Sequence, residues 1–480
     1  MNKILESHKQ AVTDPTGVTG ILANWLAALE FDTIPARARE RAKYVILDGF
    51  GCALVGAQLP WSQRAAEIIL RTDGQGPGTI IGWGKTVSTP AAVMLNGAFI
   101  QAFELDDYHF LAPIHSNAVV LPALVGAVNL LGGITGRDFL RGAVAGFEVG
   151  VRVGMALHGI QMLSRGWHSG AVFGTHAAAV AAGTLYGLNA AQFEDALGIA
   201  GTQSGGLMAA QFEAMVKRMH HGFASRNGFY AAALAAGGYT GIKRVFEREY
   251  GGFLSTFGEG HDPDASQIAR ELGEVWETER ISVKPYASMT AHHSSIDAIF
   301  ELRTRRNFSA AEVERVEIGL GHAAYHHGWW ELERPITETG AQMHVGYSIS
   351  AAILDNAASV AQYATSRIHC DDIWEFLPRV RVHHDAGIDA FPRDQQLRSR
   401  TKVTLKDGTV LETEVPAPRG HNTRPLSNED ILAKFRRLTD GVVADDRRQQ
   451  IEETILGLEA VEDVRVLVSL LAKEASPLFG

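Results

Sequence analysis

The sequence predicts a mainly α protein in which a large all-helical domain is built from both chain ends and a smaller α+β domain is inserted as a lid. Three features of the pattern point there. Residues 90–241 carry one Ala- and Gly-rich apolar run after another at helical spacing. Strand-like alternation of apolar and polar residues starts only after about residue 279. A side-chain cap and a renewed helical pattern follow Pro425. A chain of 480 residues with 46% hydrophobic content can bury two unequal cores. The expected division is 1–279 with 420–480 for the helical domain and 280–419 for the lid.

Each element has a local reason. Residues 17–31 and 34–55 place apolar side chains at helical spacing, the second stretch with its charges gathered in its first half. Residues 74–88 bring Gly, Pro and the extended run TIIGWG, a loop or strand connection. Helices are then expected over a stretch opening at Pro90 and over 137–158, 171–188, 190–201 and 222–238, separated by Gly-bearing turns, with no fixed-period repeat. In the inserted part, VERVEIGLG (313–321), RVRVHH (379–384) and TKVTLKDGTVLETEV (401–415) alternate as strands. Asp407-Gly408 is a two-residue hairpin turn, and 341–358 reads as a helix. Ser427 with Asp430 caps the helix that follows, and this helical tail, packing back on the first domain, makes the α+β unit an insertion. Clefts between such domains are where ligands tend to lie.

Composition narrows the function. The formal net charge of −10 argues against a nucleic-acid partner, since phosphate binding needs clustered Lys and Arg. Two cysteines, Cys52 and Cys370, are too few for a disulfide framework or a structural zinc site and fit a reducing compartment. The opening MNKILESHKQAVTDPTG has no apolar core of signal-peptide length, and the apolar runs break before membrane-spanning length. A soluble cytoplasmic protein without membrane or nucleic-acid partners is expected.

The chemistry concentrates in QAFELDDYHFLAPIHSNAVVLPALVG (101–126), which sets Glu104, Asp106, Asp107, Tyr108, His109 and His115 between two apolar runs. Carboxylates at the end of a buried helix are costly unless a partner or a task holds them. The bland alternative is an acidic cap facing water. In Gly166-Trp167-His168-Ser169-Gly170 the glycines free backbone amides at a helix N-terminus for an anion, with His168 at that end; His176, inside an Ala-rich run, reads as a core histidine. Lys217 and His221, four apart and so on one helix face, join Arg218 and Arg226 in a cationic patch suited to a carboxylate or phosphate, or else a solvated helix face.

Lys284, before Pro285, is kept out of a helix interior and can point across a cleft, leading to His292 and His293, of which one should face inward and one outward. Tyr325, in YHHGWW, could donate to a developing enolate oxygen, or the Trp pair could merely seal a sheet edge. No HExxH, Cys pair or P-loop lysine is present, and the adjacent histidine pairs should point their rings apart, so neither metal nor nucleotide is expected.

Taken together, RAKYVILDGFGCALVGAQLPWS, FELDDYHFLAPIHS, GWHSGAVFG, EDALGIAGTQSGGLMAAQFEAMVKRMHHGFASRNG, YGGFLSTF and ERPITETGAQM resemble the MmgE/PrpD family, which includes 2-methylcitrate dehydratase, iminodisuccinate epimerase and cis-aconitate decarboxylase. Within it the sequence is most similar to the itaconate-forming microbial decarboxylases. The resemblance implies a helical domain formed by both chain ends, an α+β lid, a homodimer and no cofactor. It places the acidic pocket motif on Glu104, Asp106 and Asp107, pocket histidines on His115 and His168, a helical lysine on Lys217 and a lid tyrosine on Tyr325.

The sequence departs from the pattern in three places. Tyr108 stands where some decarboxylases have Thr, and the loop before His115 is one residue longer than in the animal enzymes. Met289 replaces a lid histidine, a role left to His292 or His293. The expected catalytic set is His115, His168, Lys217, Tyr325 and Asp106, with Glu104, Asp107, Tyr108, Lys284, His221, His292 and His293 around a polycarboxylate substrate. Decarboxylation of cis-aconitate is the first expectation and dehydration of an alkylcitrate the second. Epimerisation of a related acid uses the same pocket, and a non-catalytic helical scaffold is the reading from another class.

Overall fold

A computed structural model describes residues 11–478. Helix Val216–Ala236 lies at the centre of the helical part, packed on Ser169–Tyr186, Thr89–Ile100 and Ser116–Leu131. Helix Gly136–Ala156 covers the far side of Ser169–Tyr186. These helices can be so close because glycines stand at the crossings. A Cβ on Gly222 would come within 2.1 Å of the Met94 carbonyl oxygen, and one on Gly228 within 2.3 Å of the Thr175 carbonyl oxygen.

Both chain ends join this core. Leu22 and Leu26 share it with Ile455, Leu467 and Leu471, all buried. The Ser427–Asp430 capping box starts helix Asn428–Thr439, as its spacing predicts. That helix packs on Ala36–Gly56, where Lys434 reaches Asp48 at 2.7 Å.

The later part of the chain holds one four-stranded sheet. Val380–His384 runs parallel to Val313–Leu320, which pairs antiparallel with Ser399–Leu405, and that strand pairs antiparallel with Val410–Val415. The last two strands form the expected hairpin, with Gly408 at φ 85° in the left-handed region that glycine adopts freely. Ile296, Val313, Ile318, Val403 and Leu405 make a second apolar cluster under the sheet. Helix Val345–Asp355 sits between the two cores: Val345 and Ile349 belong to the second, Tyr347 and Ala351 to the first.

Several boundaries differ from the sequence reading. Pro60–Thr72 is a helix that the sequence reading passed over; half its length faces solvent, so its apolar stripe is thin. The helix expected at 222 starts at Val216, because its first turns are stabilised by tertiary partners of Lys217 and Arg218 and not by an apolar run. The helix expected over 341–358 is two, Glu338–Met343 and Val345–Asp355, broken where the His344 ring caps the second by accepting from the Tyr347 amide.

Replacing Gly222 with Ala inserts a methyl group against the backbone of Thr89–Ile100. It is expected to lower stability by about 1–3 kcal/mol, measured as a fall in the urea midpoint. A midpoint equal to that of the unsubstituted protein would mean that the two helices can separate without cost.

Candidate active site

A cavity of about 180 Å³ lies where the helical part meets the sheet-bearing part. Its wall takes Glu104, Tyr108 and His115 from one loop, His168 and Lys217 from two helix starts, and Lys284 from the chain after residue 279. The residues that sequence spacing could only place near one another are thus brought to one hollow.

Glu104 organises the floor. It has φ 57°, a left-handed conformation that a residue with a Cβ adopts at a cost and that needs its surroundings to hold it. The surroundings are cationic. Lys217 Nζ and Arg218 Nη1 both donate to Oε1, the latter at 2.7 Å, and Lys284 Nζ donates to Oε2 at 2.8 Å. Gln101 Nε2 adds a fourth bond at 2.8 Å. Burial alone would raise the Glu104 pKa; the three cations outweigh it and hold the carboxyl well below its usual range.

Lys217 answers differently. Burial lowers it most, Glu104 pulls it back, and Arg218 and Lys284 push it down again, leaving it at about 8. One carboxylate shared by three cations cannot compensate each of them in full.

Lys284 arrives by backbone pairing. Asp107–Tyr108 and Ser282–Val283 form a two-residue antiparallel ladder, and the Lys284 amide donates to the Asp106 carbonyl at 3.3 Å. Lys434 braces the same loop by donating to the Leu105 carbonyl. Arg218 also donates to Gln342 Oε1 at 2.6 Å, whose amide nitrogen bonds the carbonyls of Phe103 and Ala287.

The two aspartates have separate roles. Asp106 Oδ2 lies 2.8 Å from His115 Nδ1, so the carboxylate fixes the ring and turns Nε2 toward the cavity. Asp107 accepts the amides of Ser116 and Asn117 at 2.7 and 3.0 Å and caps helix Ser116–Leu131. Its pKa is raised, by burial first and by Asp106 second. Expected to touch substrate, Asp107 instead spends both oxygens on the helix and is absent from the cavity wall. Tyr108 does line the cavity, its hydroxyl kept protonated by burial.

Around His168 the imidazoles crowd. The His168 ring centroid is 4.9 Å from those of both His220 and His221, and His221 in turn is 4.8 Å from His115. The adjacent pair at 220 and 221 was expected to diverge; both rings are buried and both face His168, His220 beside the loop carrying Gly206 and His221 against Gly170. Burial holds His168 and His221 well below the usual imidazole value, so both are neutral at pH 7.

Four further candidates, His221, His292, His293 and Tyr325, lie off the cavity wall. His292 and His293 are both buried, where one was expected to face outward; they bond to Ser348 Oγ at 3.3 Å and the Ser288 carbonyl at 3.0 Å. Thr290 and Met289 take the wall positions beside them. Tyr325 lies on helix His322–Gly328 with its ring against His326 and His384 and the second core, because the face of that short helix turned to the cavity carries Ala324 and His327. His327, which the sequence reading did not single out, is the side chain at the wall.

Arg393 was missed altogether, since an isolated Arg in a loop has no spacing signal. It lines the cavity from the sheet-bearing part and, with the Gln161 amide oxygen facing it, donates from Nη2 at 2.6 Å. Among the described residues no three His, Cys, Asp or Glu side chains are grouped to hold a metal ion.

Residues 20–266 match the MmgE/PrpD N-terminal domain and residues 286–459 the MmgE/PrpD C-terminal domain. The chain belongs to the MmgE/PrpD family. It is 40% identical over 484 residues to a cis-aconitate decarboxylase-like protein of Aspergillus oryzae, covering 96% of this chain and 99% of the relative. It is 39% identical to a cis-aconitate decarboxylase of Aspergillus terreus (95% and 96% covered) and 26% identical to the human cis-aconitate decarboxylase (96% and 95% covered). This MmgE/PrpD protein is an enzyme, of the lyase kind that those names describe.

Lys217 changes charge close to neutrality. A lysine held at about 8 is charged below that pH and neutral above it, so binding of a tricarboxylate probe such as citrate is expected to weaken as pH rises through about 8. Calorimetric titrations between about pH 7 and 9 measure this, with Lys217→Arg removing the step. Equal affinity across that range in the unsubstituted enzyme would contradict it.

Proposed function

We propose that the enzyme is a cofactor-independent carboxy-lyase that converts cis-aconitate to itaconate in the cavity between the helical and sheet-bearing parts. The observation that carries this reading is the charge balance of the wall. Lys217, Arg218 and Lys284 share one carboxylate, Glu104, so the floor holds cations in excess where a polyacid would lie. Arg393 adds a further cation from the opposite side. The Asp106–His115 pair supplies a positioned acid beside them. The names of the relatives agree with this chemistry.

In this mechanism the bond between the methylene carbon and its carboxylate breaks, CO2 leaves, and the electron pair spreads over the allylic system toward the remaining carboxylates. Lys217 and Lys284 hold those carboxylates and stabilise the charge that grows on them. Neutral His168, and His327 across the cavity, donate hydrogen bonds to the same oxygens. His115 delivers its Nε2 proton to the former vinylic carbon while Asp106 keeps the ring in line. The largely apolar remainder of the wall, with Ile160, Leu163 and Met343, excludes water and strengthens each of these interactions.

Dehydration of an alkylcitrate would use His115 as a base in the same place, and the products separate the two. Release of CO2 with formation of itaconate from cis-aconitate is the expected result; water loss from 2-methylcitrate without CO2 release would replace this reading with the dehydratase. His115→Ala is expected to raise the barrier by about 2.7–4 kcal/mol, about 10²–10³ in kcat, with substrate still bound. Turnover that survives this change would remove His115 from the mechanism.

A homodimer is part of the same proposal and rests on the family resemblance. Sedimentation velocity should give twice the protomer mass of 51.9 kDa, and a single-protomer mass at micromolar concentration would rule it out.

A further inference from the structure

On the far side of Ile160 and Arg393 from the cavity lies an outer hollow of about 320 Å³. Those two residues line both spaces. Ile160 belongs to helix Gly159–Ser164 of the helical part and Arg393 to the short turn Arg393–Gln395 of the sheet-bearing part. The partition is therefore a seam between the two parts of the chain. One stretch of it is fixed: Glu277, on the outer side, lies 3.3 Å from His109 on the cavity side and 3.0 Å from Arg280. The other stretch is closed by the bond from Arg393 to the Gln161 amide oxygen at 2.6 Å.

The outer hollow is cationic. Four arginines line it, Arg152, Arg270, Arg280 and Arg393, against two glutamates, Glu271 and Glu277. Arg152 is buried and committed, donating to the carbonyls of Arg270 at 2.5 Å and Val275 at 2.7 Å. Arg280 holds Glu277. Arg270 and Arg393 are exposed, and neither pairs with a carboxylate among the described residues. Arg393 spends its charge on a neutral amide. A carboxylate binds a guanidinium through two parallel charge-assisted bonds, each about twice as strong as a neutral one. An anion in the outer hollow therefore outcompetes Gln161 for Arg393, and so undoes the closure that shuts it out.

We propose that the outer hollow is a polycarboxylate-binding anteroom through which substrate enters and product leaves, with Arg393 passed from Gln161 to the anion and back. The proposal rests on the reading of the cavity as a polyacid site, and not on which reaction follows there. An arriving polyacid is caught by Arg270 and takes Arg393 from Gln161. With that bond gone the edges at Ile160 and Arg393 part, a motion of two packed parts that belongs to the microsecond to millisecond range. The anion moves inward with Arg393 until Lys217 and Lys284 hold its other carboxylates. Departure runs the same steps in reverse and returns Arg393 to Gln161, so each passage ends where it began. A neutral or cationic molecule has nothing with which to displace Gln161 and stays outside.

Binding of citrate to the full-length enzyme tests this, followed by tryptophan fluorescence after rapid mixing or a temperature jump; Trp167 adjoins His168 of the cavity wall. Entry in two steps gives an observed rate that rises with citrate concentration to a plateau. The half-saturation concentration reports the anteroom and the plateau reports the opening of the seam. Arg270→Gln is expected to raise the half-saturation concentration about 3-fold and leave the plateau unchanged. Gln161→Glu, of nearly the same shape, gives Arg393 a carboxylate to hold and should lower the plateau about 10-fold. Gln161→Leu removes the acceptor and should raise it. A misfolded variant would lose citrate binding altogether, and not one of the two parameters alone. Citrate entry at the unsubstituted rate in Gln161→Glu overturns the proposal, as does a half-saturation that Arg270→Gln does not move or a rate without a plateau. If the unsubstituted enzyme binds no citrate, the polyacid reading of the cavity falls and takes the anteroom with it.

Discussion

One buried carboxylate with three cationic partners underlies the rest of the structure. Glu104 is reached by Lys217 and Arg218, 113 and 114 residues further along the chain, and by Lys284, 180 residues along. Three cations could not be kept in an apolar interior without it, since an unpaired buried charge costs several kcal/mol. Nor would Glu104 hold its left-handed backbone without them. The same interaction therefore fixes the loop, starts the central helix six residues before its apolar pattern, and docks the first strand of the later chain on the helical part.

Because the cations outnumber their anion, the arrangement is stable and still attractive to a second anion. Their positions are set before any ligand arrives, so little reorganisation accompanies binding. The overall charge of the protein is −10, yet the hollow presents the opposite sign. Local excess at a water-poor wall, and not the global balance, governs which small molecules fit.

The imidazoles complement this. Burial keeps His168 and His221 neutral among cations, so they serve as hydrogen-bonding groups and not as further positive charge. His115 differs because Asp106 occupies one of its nitrogens and leaves the other to the cavity. The acidic pair that looks uniform in sequence is divided in the fold: one aspartate aligns an imidazole and its neighbour caps a helix. Asp107 and Tyr108 form the two-residue ladder and point to opposite sides, which is why Asp107 faces the helix and Tyr108 the cavity.

The sequence by itself determined the helical class, the return of the C-terminal helices to the first core and the four strands of the later part of the chain. Each of these follows from periodicity, caps and turn residues acting over a few positions. It also marked Glu104, His115, His168, Lys217 and Lys284, since ionisable groups interrupting apolar runs stand out without any knowledge of their partners. Only the tertiary structure decided which neighbours work together. The direction of Tyr325 against His327, the burial of His292 and His293, the reach of Arg393 and the bond between His168 and His220 depend on rotations of short helices and on segments far apart in the chain. Such contacts leave no period in the sequence, because their geometry is set by how whole elements pack and not by the residues on either side.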